Sequence, residues 1–195
     1  MSFEAEFWTD KYFKGDMGWD IGYASTPLKE YFDQLRDKEQ QILIPGCGNA
    51  YEAKYLMEAG FTNVHLLDIS QFLVDQLKQE FYPEYKDRLS IYCEDFFKHE
   101  GQYDLIVEQT FFCSLKPTYR EAYAEKMHAL LKPKGRLIGV LFTFPLSKDG
   151  PPFGGSIEEY KQYFDPYFNI LKLEPCKNSI TPREGSECFM ILEKG

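Results

Sequence analysis

The chain has 195 residues, 44% hydrophobic and 17% aromatic, enough apolar material for one globular core and too much for a disordered or fibrous chain. A net charge of −9, a pI near 4.9 and the lack of any Lys/Arg cluster exclude nucleic acid as a partner and make a polyphosphate a poor ligand, while a cation is tolerated. No apolar run approaches the ~20 residues of a membrane span, and charges stand at the N-terminus where a signal peptide needs its apolar region.

Residues 1–195 read as a single domain, with residues 1–40 as an N-terminal lid ahead of the first sheet strand. Phe3, Phe7, Trp8 and Tyr12 recur at helical spacing, which predicts a short helix over residues 2–13. Glycines mark residues 15–27 as a loop. Residues 27–35 resume as a helix with Leu28, Tyr31, Phe32 and Leu35 on one face. Both tryptophans, Trp8 and Trp19, fall in this leader, where they either bury it against the body or close over a ligand.

The stretch 41–68 carries most of the information. Ile42, Leu43 and Ile44, closed by Pro45, form a strand covered on both faces. Gly46 and Gly48 make a tight turn that lets backbone approach a ligand. Asn49 is the expected N-cap of the next helix, with Glu52 three residues on as in a capping box. Ala53, Leu56 and Met57 give its apolar face, and Gly60 ends it. Residues 64–67 are the second strand, and Asp68 stands at its carboxyl end, about twenty residues beyond the first glycine, where a ribose-binding acid is expected. Ligands bind open α/β sheets beyond such strand ends. Tyr51 occupies the place of the third small residue of a nicotinamide fingerprint, and there is no phosphate-binding G-x-x-x-x-G-K-[ST] loop. Adenosine attached to a positive sulfonium fits these residues best, so the expected cofactor is S-adenosyl-L-methionine. Trp8 and Trp19 would meet that cation by their ring faces.

Ser70 is the expected cap of a helix with Leu73, Val74, Leu77 and Phe81 buried, ended by Tyr82-Pro83. Residues 88–93 form a third strand, and Asp95 and Phe96 at its exit are placed to meet the amine and ring of an adenine. Residues 103–107 are a fourth strand, leading into Phe111-Phe112-Cys113. A helix follows over 117–131, a turn over 132–135, and a fifth strand over 137–142. The loop 145–155 is the mobile segment near the strand ends. A helix near 157–164 and strands near 168–173 and 187–193 complete the sheet. The cysteines (Cys47, Cys93, Cys113, Cys176, Cys188) are odd in number and lack C-x-x-C spacing, and read as reduced thiols of a cytoplasmic protein.

Taken together, Trp8 to Tyr12, GWDIG with the later Thr26-Pro27, LIPGCG, LLDIS, EDFF, DLIVEQTFFCSL and LLKPKG resemble the thiopurine S-methyltransferase family, within it the thiol and halide methyltransferase branch. The resemblance covers nearly the whole chain. It implies a three-layer, Rossmann-like α/β fold with a seven-stranded, mostly parallel sheet whose last strand is antiparallel. It also implies cofactor contacts at Trp8, Tyr12, Trp19, Gly46, Asp68, Asp95, Phe96 and Gln109, to which the glycine turn adds Gly48. Tyr12 stands where the branch has a second tryptophan, and Gln109 where a tyrosine is common. Tyr23 replaces an arginine and Phe153 a tyrosine, which removes a guanidinium and a phenol O–H from halide or thiocyanate recognition. Tyr23, Phe112 and Phe153 are the residues expected at the substrate pocket.

Methyl transfer from a sulfonium is an in-line displacement that needs positioning and a nucleophile. His65 falls mid-strand, His128 mid-helix and His99 in a surface loop, so none is placed as a base. Cys113 as a covalent nucleophile has no partner base in view. No residue is assigned a catalytic role and no metal site is expected. The reading is methyl transfer to a small soft nucleophile, a thiol arriving as thiolate. The alternatives are another small acceptor (an oxyanion such as tellurite), a non-catalytic S-adenosylmethionine-binding module, and a nicotinamide oxidoreductase. A small-molecule acceptor is the only partner expected, with no nucleic acid, membrane or obligate protein partner.

Overall fold

Four buried residues in a row make β1 (Ile42–Pro45), and everything else in the sheet is placed relative to it. The computed structural model describes residues 5–195. β1 pairs in parallel with β2 (Val64–Asp68) on one side and β4 (Tyr103–Gln109) on the other. Outward from β2 lies β3 (Leu89–Cys93), and outward from β4 lies β5 (Leu131–Phe142), both parallel. β7 (Glu187–Glu193) inserts antiparallel between β5 and β6 (Asn169–Pro175). The order is therefore β3-β2-β1-β4-β5-β7-β6, the expected seven-stranded sheet with its last strand reversed. The chain turns back between β1 and β4, which opens a crevice at their carboxyl ends.

Strand alternation assigns each face its core. Ile42, Ile44, Leu66, Leu105 and Val107 pack beneath α2 (Thr26–Phe32), α3 (Tyr51–Glu58) and α4 (Gln71–Tyr85). Leu43, Leu67, Ile106 and Leu137 point the other way, to α5 (Arg120–Leu130) and α6 (Ile157–Phe164). α1 (Ala5–Lys14) buries no residue fully and lies along α4, with Phe13 edge-on to Phe72 at 5.9 Å.

Several boundaries differ from expectation for identifiable reasons. The helix expected over 2–13 is α1, and the residues before Ala5, Phe3 among them, lie outside the described ones. α2 stops at Phe32 because, after the Asp33 amide makes the last helical bond onto Lys29, those of Gln34 and Leu35 close tight turns onto Tyr31 and Phe32. Asn49 does not cap α3. The cap position is Ala50, in the left-handed conformation at φ 55°, while the Asn49 amide donates to Asp20 and Glu52 accepts from the Ser25 N–H at 2.9 Å. Ser70 does cap α4, accepting from Leu73 N. Pro83 falls inside the last turn of α4 rather than after it, where a missing N–H removes only one helical bond. Residues 132–135 are not a free turn. Lys134 at φ 64° and Gly135 exchange backbone hydrogen bonds with Lys194, which holds them in β5 as a bulge opposite β4. A short 3₁₀ turn, Pro117–Tyr119, precedes α5.

Candidate active site

The carboxyl ends of β1 to β5 and the leader surround one cavity of about 800 Å³, within the range of small-molecule sites. β1 contributes the Gly46–Asn49 corner, β2 Asp68, and β3 Glu94 to Phe97. β4 contributes Gln109 to Phe111 and Cys113 to Leu115, β5 leads to Phe142 and Phe144, and the leader forms the front with Phe7, Trp8, Lys11, Tyr12, Trp19 and Tyr23 among its lining residues.

The glycine corner is tight for a physical reason. Gly46 has φ 59° and Gly48 φ 52°, both in the left-handed region. A Cβ at Gly46 would fall inside the ring of Phe111, so that position can hold only glycine without displacing the wall opposite. Asp68 is 6% exposed, and its Oδ1 accepts from Ser70 N at 2.9 Å. Burial pushes its carboxyl up to about 6, against the pull of the N–H groups of Ser70, Gly48 and Ile69.

The leader is fastened at several points. Thr9 and Ser70 share a hydroxyl hydrogen bond at 2.8 Å, and Asp20 accepts from Tyr51 at 3.2 Å as well as from Asn49. The Arg183 guanidinium donates to the Trp19 carbonyl at 2.7 Å. Trp19 stands edge-to-face with Trp8 at 5.4 Å and with Tyr12 at 5.8 Å. Burial, then the nearby Asp68, pushes the Tyr12 phenol far up, so it stays neutral.

At the β3 exit Asp95 accepts from Phe97 N at 3.0 Å, and Phe96 lies edge-on to Phe111 at 5.1 Å. His99 is not in a surface loop. It is 2% exposed, with its ring nitrogens 2.5 Å from Glu94 and 2.7 Å from the Tyr103 hydroxyl, because the turn after β3 folds back over Tyr103. At the β4 exit the Gln109 Oε1 is buried with no hydrogen-bond partner, a free acceptor beside the cavity.

All the expected cofactor positions (Trp8, Tyr12, Trp19, Gly46, Gly48, Asp68, Asp95, Phe96, Gln109) and Tyr23 lie on this cavity. Phe112 and Phe153 do not. Phe112 is fully buried among Tyr123, Tyr160 and Phe164, and its neighbour Phe111 takes the place on the wall. Phe153 is buried beside a separate, shallower hollow lined by Lys116 and Lys148. The Gly150–Pro151 and Pro151–Pro152 bonds are cis, and both prolines reach the main cavity.

Sequence reasoning missed Arg183, which is 8% exposed and lies on the cavity with Pro182 and Ser186, just ahead of β7. Its guanidinium is 3.4 Å from Glu187 and covers the Phe142 ring at 5.2 Å. The charged lining is then Asp16, Asp20, Glu52, Asp68, Glu94 and Asp95 against Lys11 and Arg183, and Lys11 is paired with Asp16. An acidic bowl of this kind favours a cation. Around Arg183 the wall turns apolar, with Phe111, Phe142, Phe144, Pro151 and Pro152. Among the described residues no histidine lines the cavity. The Cys113 thiol donates to the Thr110 carbonyl at 3.2 Å and burial pushes it well up, which leaves it protonated and a poor nucleophile.

An acid at the end of the second strand, a close-approach corner at the first, an orphaned amide oxygen and an aromatic cover together fit an adenosyl sulfonium ligand. The family model described as thiopurine S-methyltransferase matches residues 3–193. A probable thiol methyltransferase 2 of Arabidopsis thaliana is 31% identical over 185 residues, spanning 92% of this chain and 81% of its own length. A thiopurine S-methyltransferase of Vibrio campbellii is 27% identical, spanning 84% and 83%. Among solved structures, the 1,6-didemethyltoxoflavin-N1-methyltransferase of Burkholderia thailandensis superposes with a TM-score of 0.75 at 17% identity, covering 97% of this chain and 86% of that one, which is a likeness of fold.

Proposed function

The chain belongs to the thiopurine S-methyltransferase family, and from that premise we propose that this S-adenosylmethionine-dependent methyltransferase methylates a small thiol bound as its thiolate. The observation that carries the acceptor class is the character of the chamber beyond the glycine corner. It is aromatic and apolar, holds the Arg183 guanidinium, and offers no histidine to remove a proton. A soft anion that arrives already ionised suits such a chamber, since desolvation strengthens its attraction to the guanidinium and strips the water that would shield its sulfur.

The cofactor, when bound, supplies a methyl group activated on a sulfonium. In this reading Asp68 accepts hydrogen bonds from the two ribose hydroxyls, each worth about 1.5–3 kcal/mol for a charged acceptor. The Gly46–Gly48 corner, whose two glycines carry no Cβ, lets the amino-acid end lie close against the backbone, and Asp95 with Phe96 takes the adenine. Gln109 offers its unpartnered oxygen to an amine of the cofactor. Trp8, Tyr12 and Trp19 cover the sulfonium and exclude water. Tyr23, Phe111 and Phe144 confine the acceptor, and Arg183 orients it. No residue transfers a proton, so the protein contributes orientation and dryness. The whole chain acts as one catalytic domain with its leader as lid, and the free thiols Cys47, Cys93, Cys113, Cys176 and Cys188 support a cytoplasmic setting.

One feature favours a second acceptor class, because the Arg183 guanidinium would meet an oxyanion such as tellurite equally well. A screen with labelled cofactor over thiols, halides and tellurite separates these. For a thiol series at one fixed pH, kcat/KM should follow the fraction ionised. Rates indifferent to that fraction would reveal an enzyme base and refute the mechanism, and tight cofactor binding with no turnover of any acceptor would refute the activity.

A further inference from the structure

Glu108 is the least explained residue beside the site. It is fully buried at the end of β4, next to Gln109, and has no ion-pair partner among the described residues. An unpaired carboxylate in a core is expensive and needs a compensating reason. Its oxygens show one. Oε1 accepts from the backbone N–H groups of both Phe111 and Phe112 at 2.8 Å, and Oε2 accepts from the Tyr123 hydroxyl of α5 at 2.5 Å. Between the acid and those amides lies Thr110 at φ 58°, a left-handed conformation that a β-branched residue adopts only when its surroundings impose it. The carboxylate thus clamps a strained kink.

Two glycines leave room for this device. Gly139 is opposite Glu108 in β5, and a Cβ there would collide with the Glu108 side chain and carbonyl. Gly46 clears the space into which the Phe111 ring then projects, against the glycine corner and edge-on to Phe96. The lever runs from the acid, through the Thr110 kink, to a ring that forms the wall between the corner and the apolar chamber.

We propose that Glu108 is a positioning residue that sets the Phe111 wall of the acceptor chamber without touching cofactor or acceptor. The inference rests on the methyl-transfer reading of that chamber. Glu108→Gln keeps an oxygen for both backbone N–H groups and an amide that the Tyr123 oxygen can accept from, whereas Glu108→Ala releases the kink. In crystals of the Ala variant Phe111 should leave Gly46; in the Gln variant it should stay. With a thiol turned over by the wild type, Ala should raise the acceptor KM about tenfold while cofactor affinity stays within about threefold, the scale expected for a misplaced positioning wall, and Gln should recover most of the loss. Tyr123→Phe, which removes only one donor, should raise the acceptor KM about threefold in the same sense and decides the matter if the Ala variant does not fold. The proposal is overturned if Phe111 keeps its place in the Ala variant, or if acceptor KM, kcat and cofactor affinity deteriorate together in both Ala and Gln variants. It is equally overturned if Tyr123→Phe leaves the acceptor KM unchanged. If the wild type methylates no thiol, the thiol reading fails by itself, and the position of Phe111 in the variant crystals still decides the role of Glu108.

Discussion

Replacing Asp68 with asparagine should make the ligand-free protein more stable at alkaline pH relative to wild type, and less so in acid. Burial raises the Asp68 carboxyl from 3.8 to about 6. A carboxyl whose folded-state pKa is raised contributes stability that is fully present below its unfolded value and lost as pH rises through the folded one. Between about pH 4 and pH 8 the wild type therefore loses about 3 kcal/mol through this one group, taking 1.4 kcal/mol for each tenfold change in the proton equilibrium. Asparagine does not titrate and keeps an oxygen for the Ser70 N–H, so its own burial shifts the difference between the two proteins by a constant. Urea unfolding without cofactor at the two pH values measures the change. With an m-value of about 2 kcal/mol/M, the gap between the midpoints should move by about 1.5 M in favour of the variant on going from acid to alkaline pH. A gap that stays constant, or moves the other way, would refute the assignment of Asp68 as a carboxylate held in an unfavourable place. The same variant should lose about a hundredfold in cofactor affinity by calorimetry, since neutral hydrogen bonds to the ribose replace charged ones.

Trp19→Ala should weaken S-adenosylmethionine by about 3- to 30-fold in calorimetry and its uncharged demethylated product by less, since a ring face adds attraction to a cation alone. Equal losses for the two ligands would argue against a sulfonium under the tryptophans. Gly46→Ala should lower both Tm and cofactor affinity, because the new methyl meets Phe111, whereas Gly15→Ala has open space and should cost only about 1 kcal/mol of backbone strain. Arg120→Ala should destabilise by about 3–5 kcal/mol in urea unfolding, because the fully buried guanidinium holds Glu159 at 2.6 Å and the Gly154 carbonyl at 2.7 Å between the rings of Phe112 and Tyr160.

The sheet was legible because its signals are local. Ile42 to Ile44 and Val64 to Leu67 are unbroken apolar runs, and Gly46 and Asp68 lie at fixed distances from them, so strand, corner and acid follow from spacing. What failed depended on side-chain and backbone partners that no local period announces. Asn49 looks like a cap until Asp20 takes its amide. Residues 132–135 look like a turn until Lys194 pairs with them. His99 looks exposed until Tyr103 and Glu94 close on it. Phe111 and Phe112 are indistinguishable by composition, and only the folded turn after β4 shows that the first ring meets the cavity while the second enters the core. Arg183 sits in a stretch without periodicity or motif, and its place on the wall arises from strand insertion: β7 entering between β5 and β6 carries the preceding turn to the cavity.

The bond from Arg183 to the Trp19 carbonyl joins residues 164 positions apart and fastens the roof of the cavity to the last hairpin of the sheet. Loosening the β6–β7 hairpin would therefore release one of the leader's fastenings from the far edge of the sheet, without disturbing the glycine corner or Asp68.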